Sequence, residues 1–409
     1  MHTPPLNIAM FSLHSSPLGP LGALDTGGMS VYIRETAGEL GQMGHRVDIF
    51  TRAAPAGGEM VVPLAENARL VHLRSGRDTA AAKSVLHRSI AGFYREVESF
   101  RSRHLLAYDL IHSHYWLSGS LGEKASEGWQ RPHVITFHTL GAAKNLTGLG
   151  RYEPAVRVST EKRLAATCER ILSPTTADKS NLVQLYGAAD DKIAVVPCGV
   201  NLSRFRPFDA AGSRRRLDFA RNESIVLYVG RFEPVKGIDR LLPALTHLRH
   251  VHPLRLVLVG GDGSASPATQ RLRNQARDLG LQKIVTFAGR IDPDRLPLYY
   301  SAADVLVVPS YYESFGLVGL EALACGTPVV ATPVGAMASI LQPGRTGRVV
   351  TGADPRSLAG AIEGFLPGAG RKRLSAAAIR ASVLNFGWPK VAAALAQEYT
   401  ALCEKGAVA

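Results

Sequence analysis

Between residues 6 and 51 the chain carries a pattern that few folds can accommodate. An apolar run at 6–13 leads through a Gly-, Pro- and Ser-rich stretch to Thr26-Gly27-Gly28. Helical periodicity follows over about 30–43, with Val31, Ile33, Leu40 and Met43 apolar, and Gly44-His45 closes it before a second strand-like run at 46–51. Strand, glycine turn, helix, strand is a βαβ unit, and the returning helix makes its two strands parallel. The alternation then repeats. Strands are expected at 69–73, 109–113, 133–137 and 170–173, with helices at 83–100 and 155–168. A second series is expected to begin near Lys192, with strands at 193–197, 225–230, 254–260, 283–288, 305–309 and 328–331 and helices at 238–249 and 267–279. The chain therefore reads as two α/β halves joined through a Pro-, Arg- and Ser-rich stretch at 199–216. Two doubly wound sheets facing each other enclose a cleft, and ligands of such sheets sit beyond the carboxyl ends of the strands.

Composition narrows the ligand. The net charge is +13, from 47 Lys and Arg against 34 Asp and Glu, a field that attracts phosphates, nucleotide sugars, nucleic acid or acidic lipid. Nucleic acid is not expected, because aromatic–basic interleaving and a known motif are missing. Hydrophobic residues at 46% exclude wholesale disorder, and no apolar run is long enough to span a membrane. The first residues lack the basic and apolar regions of a secretory signal. Cys168, Cys198, Cys325 and Cys403 are far apart and form neither a disulfide framework nor a zinc spacing, so a cytoplasmic setting is expected.

Candidate chemistry falls just past strands. Glu313 precedes a helix expected over 315–324 and Glu321 lies about two turns into it; its first amides at Phe315, Gly316 and Leu317 lack intrahelical partners and form a phosphate site. The two carboxylates suit sugar hydroxyls on either side of a diphosphate, though helix-end charge alone also explains them. Arg231 and Lys236 follow the strand at 225–230 and can converge on one diphosphate, or form a solvated basic loop. Gly27-Gly28 lets backbone amides approach an anion, but it is not a dinucleotide fingerprint. His138 and Lys144 follow the strand at 133–137. Asp292-Pro-Asp294 matches a metal-holding DxD string, yet it precedes a helix start and is expected to cap it; no metal site is expected.

Together, the Glu313–Glu321 segment, the Gly230-Arg231 to Lys236-Gly237 loop and Gly27-Gly28 resemble the retaining glycosyltransferases of family 4, and the resemblance covers nearly the whole chain. Within that family it is nearest to the inositol-phosphate N-acetylglucosaminyltransferases of mycothiol biosynthesis and next to the sucrose-phosphate synthases. The shared stretches are Asp25 to Tyr32, Ser113 to Gly119, Phe137 to Gly141 with Lys144-Asn145, Glu153 to Arg157, and Glu313 running on to Val330. The resemblance implies a GT-B fold, two Rossmann-like doubly wound domains facing across a cleft. It implies an acceptor-binding domain at 1–199, a nucleotide-sugar domain at 200–386 and a helix at 387–409 crossing back to the first.

It also implies roles. Arg231, Lys236, Gly28 and the start at Phe315, Gly316 and Leu317 would hold the donor diphosphate, Glu321 the ribose and Glu313 the donor sugar. His138 would lie at the reacting centre and Arg290 near the nucleotide. Lys83, Tyr115, Thr139 and Arg157 match the residues that hold an acceptor phosphate. Ser30 stands where the family has Asn, which leaves inositol itself open while a phosphorylated small acceptor is expected. The implied reaction moves glucose or N-acetylglucosamine from a nucleoside diphosphate, UDP expected, with retention and without a metal or other cofactor. A membrane-lipid or polysaccharide acceptor, an epimerase and a non-catalytic binding module are the alternatives; membrane contact and a homodimer stay open.

Overall fold

The computed structural model describes residues 4–19, 26–52, 60–74, 83–150, 152–261, 263, 265–352, 354–368 and 374–408. Two sheets organise the chain. The first contains β1 (Asn7–Phe11), β2 (Arg46–Arg52), β3 (Val61–Ala65), β4 (Ala68–Leu73), β5 (Leu110–His114), β6 (His133–Thr136), β7 (Arg170–Ser173) and β8 (Ile193–Val195) in the order β3-β4-β2-β1-β5-β6-β7-β8. The second contains β9 (Ser224–Val229), β10 (Leu254–Val259), β11 (Val285–Gly289), β12 (Val305–Val308), β13 (Val329–Ala331) and β14 (Gly347–Val349) in the order β11-β10-β9-β12-β13-β14. Among the described strands only the β3–β4 pair is antiparallel.

Helices cover both faces of each sheet, so the strands read as continuous apolar runs. Alternation along β1 shows it: Ile8 and Met10 pack into one buried cluster, Ala9 and Phe11 into the other. Each of these larger side chains contributes about 1.5–3 kcal/mol by leaving water. In the first sheet the strand order reverses between β1 and β5, and in the second between β9 and β12. These are the switch points at which an α/β sheet opens a crevice.

Three expectations are corrected here. The strand expected at 193–197 belongs to the first sheet, where Ile193 pairs with Ile171. The helix Thr176–Tyr186 carries the chain from β7 back to this edge, and the crossing to the second lobe comes only afterwards. The helix expected over 83–100 is two, Lys83–Arg88 and Ile90–Arg103, separated at Ser89. Asp292 does not cap the helix Leu296–Ala302, whose N-cap is Arg295; its carboxylate instead accepts from the Asp294 amide at 2.8 Å.

The helix Trp388–Val408 leaves the second lobe and packs along the helix Gly28–Gln42 of the first. Trp388 meets Tyr32 edge-on at 5.8 Å, and the Tyr399 hydroxyl lies 2.7 Å from His112 Nδ1 on β5. Elsewhere the lobes touch through Ser314, which donates to Asp178, and through the Leu140 amide, which donates to the Tyr312 hydroxyl at 3.0 Å. Among the described residues no helix is long and apolar enough to cross a membrane.

Candidate active site

The crevice between the lobes encloses about 1280 Å³. Its walls include Gly28, Tyr115, His138, Thr139 and Arg157 from the first lobe and Arg231, Lys236, Arg290, Glu313, Phe315, Gly316, Leu317 and Glu321 from the second. Ser30 is not among the lining residues: it is wholly buried, with its hydroxyl 2.7 Å from that of Ser15. Lys83 opens the helix Lys83–Arg88, and its side chain, like Asp25, lies outside the described residues.

On the second lobe, the loops after the adjacent strands β9 and β12 supply the charge. The β9 loop turns at Gly237, φ 72°, where a Cβ would lie 2.0 Å from the Pro309 carbonyl oxygen at the end of β12. Only glycine permits that approach, and it brings Lys236 onto Glu313. Lys236 Nζ lies 2.8 Å from Glu313 Oε1, which also accepts from the Ser310 hydroxyl at 2.8 Å. Arg231 is exposed and paired with Glu233 at 2.7 Å. The helix begins at Leu317, not Phe315, because Gly316 at φ 93° is its left-handed N-cap. The amide ends available to an anion therefore start at Leu317, with the positive end of the helix dipole behind them. Across the crevice, Gly28 stands so close that a Cβ there would lie 3.2 Å from Leu317 Cδ1.

Glu321 sits further along this helix and accepts from the Tyr300 hydroxyl at 2.7 Å. Burial pushes its carboxyl up to about 7, against the lowering effect of that hydrogen bond and of Arg204. One face of the carboxylate is thus fixed by Tyr300 while the residue still lines the crevice.

The first-lobe wall is built around His138. Its φ is 59°, and the Thr139 amide closes a tight turn onto the Phe137 carbonyl at 2.7 Å. A positive φ at a side-chain-bearing residue costs on the order of 1–3 kcal/mol and persists only where neighbours enforce it. They do. Arg157 Nη2 donates to Thr139 O at 2.7 Å and Oγ1 at 2.9 Å, the Gly141 amide donates to Glu161 at 2.9 Å, and the Ala142 amide donates to the Tyr186 hydroxyl at 2.8 Å. Arg157 is 1% exposed and is itself held by Glu161 at 2.7 Å and Glu153 at 2.8 Å, with the Tyr115 ring 4.7 Å from its guanidinium carbon. These carboxylates raise its pKa above the ordinary value although burial opposes them. Arg157 thus braces the His138 loop, and Lys144 is likewise paired with Glu153.

Sequence reasoning missed Glu153, Glu161 and Tyr186 as supports of that loop, and Tyr300 beneath Glu321. The spacing of Arg157 four residues from both Glu153 and Glu161 was the available signal. Among the described residues no three His, Cys, Asp or Glu side chains converge to hold a metal ion.

Comparisons with known proteins agree with this architecture. Residues 26–204 match the model described as Glycosyltransferase Family 4, and residues 210–380 the one described as Glycosyl transferases group 1. D-inositol 3-phosphate glycosyltransferase 2 of Catenulispora acidiphila is 39% identical, over 98% of this chain and 96% of its own. D-inositol 3-phosphate glycosyltransferase of Acidothermus cellulolyticus is 41% identical, over 94% and 88%. Among solved structures, sucrose-phosphate synthase of Thermosynechococcus elongatus superposes with a TM-score of 0.89 at 32% identity, covering 98% of this chain and 100% of that one. HepE of Anabaena, in complex with UDP and glucose, shares the fold at 20% identity with a TM-score of 0.76, covering 97% and 100%.

Proposed function

Because the chain belongs to the glycosyltransferases of family 4, with two facing parallel-sheet domains of GT-B type, we propose that it transfers a hexosyl group from a nucleoside diphosphate, UDP first among candidates, to a hydroxyl of a phosphorylated small acceptor. The observation that carries the reading is the meeting in one crevice of Arg231, Lys236 and the Leu317 helix start on one wall with His138 on the other. Negative charge grows on the departing diphosphate, and preorganised cations and amide dipoles that face it there stabilise the transition state. Glu321 accepts from the ribose hydroxyls, and Arg290 lies at the nucleotide end.

Configuration is retained in this reading, with the leaving phosphate taking the acceptor proton on the face it departs from. A double displacement needs a carboxylate nucleophile at the anomeric carbon. Of the carboxylates that line the crevice, Glu313 is engaged by Lys236, Glu153 by Arg157, Glu233 by Arg231 and Glu35 by Arg34. Arg231, Lys236 and the helix start supply the positive charge for which a metal would otherwise serve. The acceptor phosphate is expected beside Thr139, Tyr115 and Arg157.

A matrix of UDP-, ADP- and GDP-sugars against inositol phosphates, fructose phosphate and glycerol phosphate, read by nucleotide release and by the anomeric configuration of the product, tests the proposal. It should yield one preferred pair, with activity unchanged by EDTA. Inverted product, or no acceptor-dependent release anywhere in the matrix, refutes it.

A further inference from the structure

We infer that His114 is a positioning residue: by donating from Nδ1 to His138 Nε2 it fixes the proton of His138 on Nδ1 and makes that residue a hydrogen-bond donor toward the crevice. The kinetic part rests on the proposed place of the donor sugar; the tautomer does not.

His114 ends β5 and is wholly buried, and its Nδ1 lies 3.0 Å from His138 Nε2. Its other ring nitrogen, Nε2, is buried with no hydrogen-bond partner among the described residues. The neighbouring imidazole of His112 lies tilted at 4.1 Å between ring centroids, but both its nitrogens are taken, Nε2 by Thr136 Oγ1 at 2.9 Å and Nδ1 by the Tyr399 hydroxyl at 2.7 Å. The Tyr32 ring lies 5.9 Å away between centroids, its plane at 64° to the imidazole. Among the described residues no nitrogen or oxygen is placed to accept a proton from His114 Nε2.

All three histidines are neutral. Burial drives His138 down to about 3 and His112 and His114 well below the ordinary range, and the mutual repulsion of their charged forms pushes His112 and His114 the same way. A neutral imidazole has one N–H. Were it on His114 Nε2, a donor would be buried without an acceptor, the rarer and costlier kind of orphan. On Nδ1 the proton is used and only a lone pair is left over. His138 Nε2 is then an acceptor, so the proton of His138 sits on Nδ1, the ring nitrogen left for the crevice.

Two consequences follow for the reaction. The ligand atom that meets His138 is an acceptor, a hydroxyl or phosphoryl oxygen of the donor. His138 also has no outward lone pair with which to deprotonate an alcohol, so it does not act as a general base.

Ring-¹⁵N-histidine labelling and long-range ¹H–¹⁵N correlation on the intact protein, with His138→Gln to identify the resonances, measures the tautomer directly. His138 should show a protonated Nδ1 and an unprotonated Nε2 from pH 6 to 8. A proton on Nε2, or an even mixture, overturns the inference whatever the activity. Kinetics give the second readout. His114→Leu keeps bulk but no donor and should lower kcat about tenfold, with the acceptor KM unchanged. His114→Asn, whose amide donates from near the Nδ1 position, should recover most of that loss. Equal losses in both variants, or a lower Tm at unchanged kcat, overturn the positioning role. If His114→Leu does not fold, the wild-type tautomer decides alone. If no donor–acceptor pair releases nucleotide, the function reading fails while the tautomer result stands.

Discussion

Replacing Lys236 with Ala separates the catalytic reading from a structural one, because the surroundings of the ammonium predict two losses of different size. Lys236 and Glu313 are 2.8 Å apart with side chains 19% and 14% exposed. Removing the cation leaves Glu313 with the Ser310 hydroxyl as partner. A fully buried pair broken on one side loses 3–5 kcal/mol; the partial exposure and the remaining hydrogen bond reduce this to about 1–2 kcal/mol. The melting temperature should then fall by only a few degrees. The effect on turnover is larger. At an effective dielectric constant near 20, a unit charge about 4 Å from the departing diphosphate is worth roughly 4 kcal/mol, partly offset by the nearby Glu313. Removal of a preorganised donor from a developing anion costs about 10²–10³-fold in kcat. Initial rates of nucleotide release at saturating donor and acceptor, beside a thermal melt, measure both quantities. A variant whose kcat stays within about threefold of wild type refutes the argument, since no diphosphate could then be drawing on that ammonium.

Burial pushes the Glu321 carboxyl up to about 7 in the free protein. Because its folded value is raised, the stability it contributes is complete below its ordinary range and lost as pH rises through about 7. Glu321→Gln should therefore flatten the fall in Tm between pH 5 and 8; an unchanged fall argues against it. Asp178, raised to about 6 mainly by burial although Ser314 donates to it across the lobes, follows the same sign. Asp178→Asn should gain stability over wild type at pH 8 and little at pH 4, measured by chemical denaturation; an equal gain at both removes the ionisation from the explanation. Arg157→Ala leaves the wholly buried Glu161 without its ion pair and should destabilise by about 3–5 kcal/mol, whereas Thr139→Val should raise the acceptor KM with a much smaller change in denaturation midpoint. A stable Arg157→Ala protein would contradict the bracing role.

The two-lobed order and the crevice were legible because strands packed on both faces are short, apolar and followed by glycine turns. What failed did so for local reasons. The helix Tyr115–Trp129 was not among those expected, and Ser118, Gly119, Ser120 and Gly122 lower its helix propensity. A Cβ at Gly119 would lie 2.6 Å from both Ile135 and Leu164, so small residues here record close packing, not a turn. Ile193 was grouped with the second series of strands, although inside the 1–199 domain, because strand propensity contains no information about which edge a strand joins. The charge of Arg157 was visible, but its confinement by two carboxylates depends on a helix whose register only the fold fixes. His114 looked like one more histidine beside a strand end; its weight comes from a bond to His138, 24 positions away.

The helix beginning at Trp388 ties the floor of the first lobe to polypeptide made long after it. His112, packed against His114, is clasped by Tyr399. A fragment cut between the two sheets would thus expose the seam along the helix Gly28–Gln42 and free the imidazole cluster. Half-proteins made separately should be sticky and catalytically inert until mixed, and chimaeras that exchange acceptor lobes among relatives must carry both segments as a matched set.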